Sequence, residues 1–130
     1  MDYGIAVDTP APFGQTLARV REALKAQGFG VLTEINMRAT MQEKLGKDIE
    51  DYVILGACNP PLADRALTAD RRIGLLLPCN VVVRTAGGHT RVEALDPQTM
   101  VTVAEEQELQ PVADEAARRL RAALETLQED

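Results

Sequence analysis

Two runs of strand-forming residues joined by a Gly-Gly turn occupy residues 73–95, which read IGLLLPCNVVVRTAGGHTRVEAL. The first run, residues 73–84, is apolar almost throughout, as in a strand that is buried on both faces for much of its length. Pro78 has no backbone N–H to donate to a neighbouring strand, so it should mark a bulge or the true start of this strand. Gly87-Gly88 is the best hairpin turn in the chain. Because residues 91–95 then return as a strand, the segment predicts an antiparallel pair.

Further strands are predicted on both sides of this hairpin. Residues 3–7 alternate apolar and small side chains, the pattern of a short strand with one buried face. Gly30–Asn36 and Tyr52–Cys58 are rich in strand formers and end at turn residues. Residues 100–103 add a possible last strand.

Helices are predicted where apolar residues recur at helical spacing. One such stripe begins at Phe13 and ends before Gly28, and a longer one runs from residue 107 to Leu127. Two short helices are predicted over residues 39–45 and 62–68. The fold class is therefore α+β: a two-layer sandwich with a mainly antiparallel sheet, two principal helices on one face and two short helices.

The amino-acid composition limits the classes of protein to which this chain can belong. A chain of 130 residues with 45% hydrophobic and 26% charged residues predicts a single domain over residues 1–130. The net charge of -6, the pI near 4.8 and the 3% aromatic content argue against nucleic-acid binding. Serine is absent, which excludes serine hydrolases. The longest apolar run is far shorter than the ~20 residues of a membrane span. No leader pattern opens the chain, so we expect a cytoplasmic protein with reduced cysteines.

Several blocks of the sequence resemble one family. They are GACNP at residues 56–60, Asp70 with residues 73–83, GFGVLTEI at residues 28–35, and residues 39–46. Together they resemble the family of domain of unknown function 302. The resemblance implies a β-α-β4-α sandwich, similar to the TATA-binding-protein-like group of folds, in bacterial and archaeal proteins without an assigned activity. It implies no catalytic residues.

Cys58 and Cys79 are the first candidates for chemistry, because each is followed by Asn and each lies near the end of an extended run. If the second strand begins at Pro78 and pairs antiparallel with Tyr52–Cys58, the two thiols could be neighbours. If it begins at residue 73, Cys79 lies roughly 20 Å further along and no pair forms. A pair could form a reversible disulfide or bind zinc or copper(I), although a structural zinc site normally needs four ligands. The alternative is that both are small buried apolar side chains.

Three polar residues complete the candidate ligand site. Asn59 is expected to cap the helix over residues 62–68, and Asn80, inside an apolar strand, would need hydrogen-bond partners if buried. Glu34 could be a buried carboxylate that serves as a general acid, or it could lie on the solvent face. His89, the only histidine, is expected to be an exposed ring beside the hairpin turn.

Three functions stay open at this point. The first is a cytosolic binding or sensing module in which the Cys-Asn pairs hold a soft metal or a redox or sulfur species. The second is an apolar small-ligand carrier with its cavity between the sheet and the C-terminal helix. The third is a homodimeric interaction protein that pairs through a free sheet edge or the helix over residues 39–45. An enzyme is the least favoured, because no nucleophile, base and orienting group can be assembled.

Overall fold

Alternation of apolar and polar side chains produces a one-sided sheet. In a computed structural model, which describes residues 2–128, five strands form a single antiparallel sheet in the order β1-β5-β4-β3-β2. The strands are β1 Gly4–Thr9, β2 Gly30–Asn36, β3 Tyr52–Cys58, β4 Cys79–Ala86 and β5 His89–Leu95. Gly87 turns between β4 and β5 with a φ of 66°, as the Gly-Gly hairpin prediction requires.

Within residues 2–128, five α-helices accompany the sheet: α1 Phe13–Ala26, α2 Met37–Leu45, α3 Pro60–Ala69, α4 Gln98–Ala104 and α5 Gln110–Glu125. Short 3₁₀ turns cover Arg71–Leu76, Gln107–Leu109 and Thr126–Gln128. The α+β sandwich prediction is confirmed, with α1 and α5 as its principal helices. Among residues 2–128, no helix is both long and apolar enough to cross a bilayer. The cytoplasmic location stays a prediction.

The main core lies between the sheet and the helices α1 and α5. Its members are almost completely buried, and they come from alternate positions of the strands and one stripe of each helix: Val53, Leu55, Val81, Val83, Val92 and Ala94 from the sheet, and Val20, Leu24, Leu120, Ala123, Leu124 and Leu127 from the helices and the final turn. Side chains therefore fill the space between sheet and C-terminal helix. The hypothesis of a ligand cavity in that gap loses its structural basis.

A second, smaller hydrophobic core includes a segment that was predicted to be a strand but is a helix. Residues 100–103 belong to α4, whose start is fixed by the Asp96 side chain accepting the Gln98 backbone N–H at 3.0 Å. Met100 is buried against Leu109 and Ile73 in this cluster, which α3, α4 and the start of α5 enclose. Residues 71–76 form a 3₁₀ turn that contributes to this cluster. Because this turn occupies residues 71–76, β4 begins only after Pro78, which is one of the two predicted alternatives.

The segment from β2 to α2 differs from the rest of the chain because none of its residues is buried. β2 is an edge strand, paired on one side with β3 through a register shift between Val31 and Thr33. α2 begins where the Asn36 side chain accepts the Ala39 N–H, and it ends at Gly46 in the left-handed conformation. Leu32 and Leu45 are 67% and 70% exposed. This segment lies beside the core rather than in it.

Candidate functional site

The two cysteines lie on neighbouring strands but on opposite faces of the sheet. Residue Cys79 of β4 is directly opposite Ala57 of β3, not opposite Cys58. Because successive side chains of a strand point to opposite faces, Cys58 points away from the side that Cys79 shares with Ala57. The antiparallel pairing was predicted correctly, but a one-residue offset separates the thiols. The prediction that they meet is therefore wrong.

Burial makes the Cys79 thiol poorly reactive. It is 7% exposed, and this burial, with a smaller contribution from the charge of Cys58, raises the pKa of its thiol from 9.0 to about 11. Both cysteines are free thiols. In the described part of the chain, no group of three or more His, Cys, Asp or Glu side chains could hold a metal ion. A zinc or copper(I) site at Cys58 and Cys79 thus has no ligand set around it.

The polar candidates near the cysteines are also dispersed. Asn59 is a buried helix cap, as predicted: its Oδ1 accepts the Leu62 N–H at 3.3 Å. Asn80 is exposed on the face opposite the core. Glu34 is exposed and pairs with Arg21 of α1, so the buried general acid is not found. Because each residue faces a different environment, they do not form the shared pocket that the sequence suggested.

His89 is exposed at the start of β5, as predicted. Its Nε2 lies 2.9 Å from Asp8 Oδ1 on the neighbouring strand β1. Arg91 Nη1 contacts the same carboxylate at 3.0 Å. Asp8 therefore ties the hairpin to the edge strand β1.

The face of the sheet that α1 and α5 leave uncovered, called the open face below, carries a different set of side chains. Strand register places them in cross-strand rows. One row contains Asp8, Arg91, Arg84 and Tyr52; the next contains Ala6, Glu93, Val82, Ile54 and Ile35. The charged members lie toward β1 and the apolar members toward β2, so the open face is amphipathic from edge to edge.

A cavity of about 270 Å³ lies on the charged half of the open face. Its floor is apolar, formed by the side chains of Val82 and Leu95, and its polar lining consists of Tyr3, Tyr52, Asn80, Arg84 and Glu93. Both tyrosines of the chain are part of this lining. A concave site with an apolar floor and a few convergent polar groups is the usual form of a small-molecule site.

Two glycines shape the open face by leaving room for neighbouring side chains. A Cβ on Gly4 would collide with the carboxylate of Glu93, so Glu93 lies across that position. A Cβ on Gly56 would collide with the Thr33 hydroxyl and come within 2.9 Å of the Pro78 ring. The absence of a Cβ at Gly4 therefore lets Glu93 lie over β1 at the edge of the cavity.

A larger cavity of about 540 Å³ lies among α3, α5 and the end of α1, but apart from the exposed Arg65 its polar side chains already have partners. Arg119 donates to Glu115 at 2.8 Å and to the Gln27 carbonyl at 3.1 Å. Asn59 is occupied as a helix cap and also donates to Gln27 at 3.4 Å. Polar groups satisfied within the protein offer less to a ligand. The open-face cavity is thus the better candidate.

Of the lining of the open-face cavity, sequence reasoning predicted only Asn80, because it looked for reactive residue types. Tyr52, Arg84 and Glu93 are ordinary strand residues, and only the pairing register brings them together. A usable signal was nevertheless present: Arg91 and Glu93 alternate with the buried Val92 and Ala94, so both had to share the other face.

Comparison with known proteins gives the same fold. The family model described as "Domain of unknown function DUF302" matches residues 5–127. The crystal structure of an uncharacterized conserved DUF302 protein from Bacillus stearothermophilus is similar to this chain, with 32% identity and a TM-score of 0.92. The match covers 98% of this chain and 100% of that one. No curated protein matches this sequence.

Proposed function

This chain belongs to the DUF302 family, and on that premise we propose that it is a small-molecule binding module whose ligand occupies the open-face cavity. The observation that carries the proposal is the convergence of Tyr3, Tyr52, Arg84 and Glu93 around an apolar floor on a face that no principal helix covers. The proposal keeps the binding role predicted from the sequence and moves its site away from the cysteines.

The size of the cavity limits the ligand. Its 270 Å³ lies just under the ~300 Å³ at which pockets for drug-sized molecules begin, so the ligand is a small metabolite-like molecule. The apolar floor favours a hydrocarbon body, and the polar lining orients it. The arrangement supports binding rather than catalysis, because the polar groups there include no nucleophile hydrogen-bonded to a base.

The absence of tryptophan provides a direct assay. Tyr3 and Tyr52 are the only tyrosines and both line the cavity, so the intrinsic tyrosine fluorescence of the protein reports on this site. A set of small molecules that do not absorb near 280 nm is titrated into the protein. The proposal predicts that at least one gives a saturable change, and that backbone NMR shifts for it concentrate on β3, β4 and β5.

A cavity-filling variant tests the location. Val82→Phe adds bulk to the floor and should abolish the fluorescence response, whereas Val103→Phe, at a position 60% exposed in α4, should leave it intact. Saturable binding that survives Val82→Phe, or NMR shifts that map to the cavity beside Arg65 and Arg119, would contradict the proposed site.

A second candidate function, homodimer formation through β2, is supported by a separate observation. β2 is a seven-residue edge strand with no buried residue, and its one charged side chain, Glu34, is paired with Arg21. Unprotected edge strands readily pair with another strand, and two copies of one strand can pair antiparallel about a two-fold axis. Sedimentation analysis should show a dimer that Leu32→Lys converts to monomer.

The matched control for this second candidate is Leu75→Lys. Leu75 is 78% exposed in the turn before β4, so its substitution should leave the dimer intact. A wild-type protein that sediments as a monomer at high concentration would remove the dimer from consideration.

A further inference from the structure

The charge pattern of the open face indicates which ligand chemistry the cavity takes. Arg84 of β4 lies directly opposite Arg91 of β5, and like charges directly opposite each other on neighbouring strands are unfavourable. Arg91 is compensated, because Asp8 contacts it at 3.0 Å and Glu93 lies 3.8 Å away. Arg84 is not compensated in this way: none of the carboxylates within residues 2–128 forms an ion pair with it.

The position of Arg84 makes this free charge significant. The side chain is partly buried and lines the cavity, with Tyr52 opposite it on β3. A guanidinium group has five N–H donors in a planar fork that matches a carboxylate. A partly desolvated arginine without an acidic partner is therefore ready to bind an anionic group of a ligand.

Local neutrality lets an anion approach an otherwise acidic protein. The chain has a net charge of -6, but on the open face Asp8 and Glu93 are balanced by Arg84 and Arg91. Glu93 lies across Gly4 of β1 and near Arg91, so its charge is partly neutralised. One free guanidinium beside one carboxylate suits a singly charged group better than a phosphate dianion.

Resting on the proposed function above, we propose that the cavity binds a small amphipathic monocarboxylate, with its carboxylate on the Arg84 guanidinium and its hydrocarbon body on Val82 and Leu95. Tyr3 and Tyr52 flank the ligand. In this view Arg84 determines specificity, because a neutral ligand of the same shape would fill the floor but leave the guanidinium without a partner.

The experiment uses three ligands of one shape that do not absorb near 280 nm: cyclohexanecarboxylate, cyclohexanecarboxamide and cyclohexylmethylammonium. Each is titrated into the full chain by tyrosine fluorescence, with backbone NMR as a second readout. Since hydrogen bonds to charged groups are the strong ones, the carboxylate should bind about tenfold or more tightly than the carboxamide. The ammonium compound should bind weakest, and inorganic phosphate should not compete.

Variants separate the role of Arg84 from a general effect of charge. Arg84→Gln should remove the preference for carboxylate over carboxamide, whereas Arg71→Gln, at an exposed position outside the cavity, should preserve it. Glu93→Gln should strengthen carboxylate binding, because it removes the nearby negative charge. Circular dichroism checks that each variant is folded.

Each failure has a distinct meaning. Equal or tighter binding of the carboxamide or the ammonium compound, or a carboxylate preference that survives Arg84→Gln, overturns the monocarboxylate inference while the binding module stands. Absence of any binding by the three cyclohexane compounds also overturns it. The proposed function itself fails only when the wider set of compounds gives no saturable response in the open-face cavity.

Discussion

Replacing one cysteine at a time should produce two proteins with very different thiol reactivity. In Cys58→Ser the remaining thiol is Cys79, which is 7% exposed; burial, the larger of the two causes that raise its pKa from 9.0 to about 11 in the wild-type protein, persists in this variant. At pH 8 this shift makes the reactive thiolate about 100-fold scarcer than in an ordinary thiol. Attack on Cys79 also requires a local opening of the strand. Cys79→Ala leaves the partly exposed Cys58, which should react faster.

The assay is the rate of reaction with a disulfide reagent such as dithionitrobenzoate at pH 8, with N-acetylcysteine as the reference thiol. Cys79 in the folded Cys58→Ser variant should react at least about 100-fold more slowly than the reference. In guanidinium the two variants should react equally, because unfolding removes the difference in burial. A folded-state rate for Cys79 within tenfold of the reference would refute this reasoning.

The same shift predicts a stability change at alkaline pH. A raised pKa in the folded state means that the protonated Cys79 stabilises the fold fully below pH 9, and that this contribution is lost as the pH rises through 11. The loss is roughly 2–3 kcal/mol. Denaturant unfolding from pH 8 to 11 should therefore show a steeper decline for wild type than for Cys79→Ala, which controls for the titration of Tyr and Lys. Equal slopes would contradict the assignment.

Three further predictions concern packing and surface charge. Leu124→Ala, at a core position 1% exposed, should reduce the free energy of unfolding by about 2–5 kcal/mol. The same change at Leu75, which is 78% exposed, should alter it by less than about 0.5 kcal/mol. Gly56→Ala places a Cβ within 2.9 Å of the Pro78 ring and should cost about 1–3 kcal/mol by denaturant unfolding, and no loss would show that the open face is looser than described. Glu115, whose two arginine neighbours lower the pKa of its carboxyl to about 2, should titrate there by NMR at low salt and closer to its usual range at high salt.

The fold was predictable because its signals are local. The strand-forming residues of Gly30–Asn36 and Tyr52–Cys58 predicted both strands with their observed bounds, and the stripe ending at Leu127 predicted the C-terminal helix. Burial of one face stabilises Tyr52–Cys58 and the helix, whereas β2 has no buried residue and is held by its pairing with β3. The strand predicted at residues 100–103 is wrong, because a short apolar run does not distinguish a strand from a buried helix.

The candidate site depends on contacts that no local pattern specifies. Whether Cys58 or Ala57 lies opposite Cys79 is a difference of one residue in register, yet it decides which face each thiol occupies. Likewise, the proposed binding role of Arg84 depends on the residues that the neighbouring strands place beside it. The amino-acid sequence by itself determined the α+β class and most of the elements, but its prediction that residues 73–84 are buried on both faces is wrong, because β4 is buried on one face only. Tertiary structure alone decided how the strands align, because register depends on the joint packing of five strands and two helices rather than on any one segment.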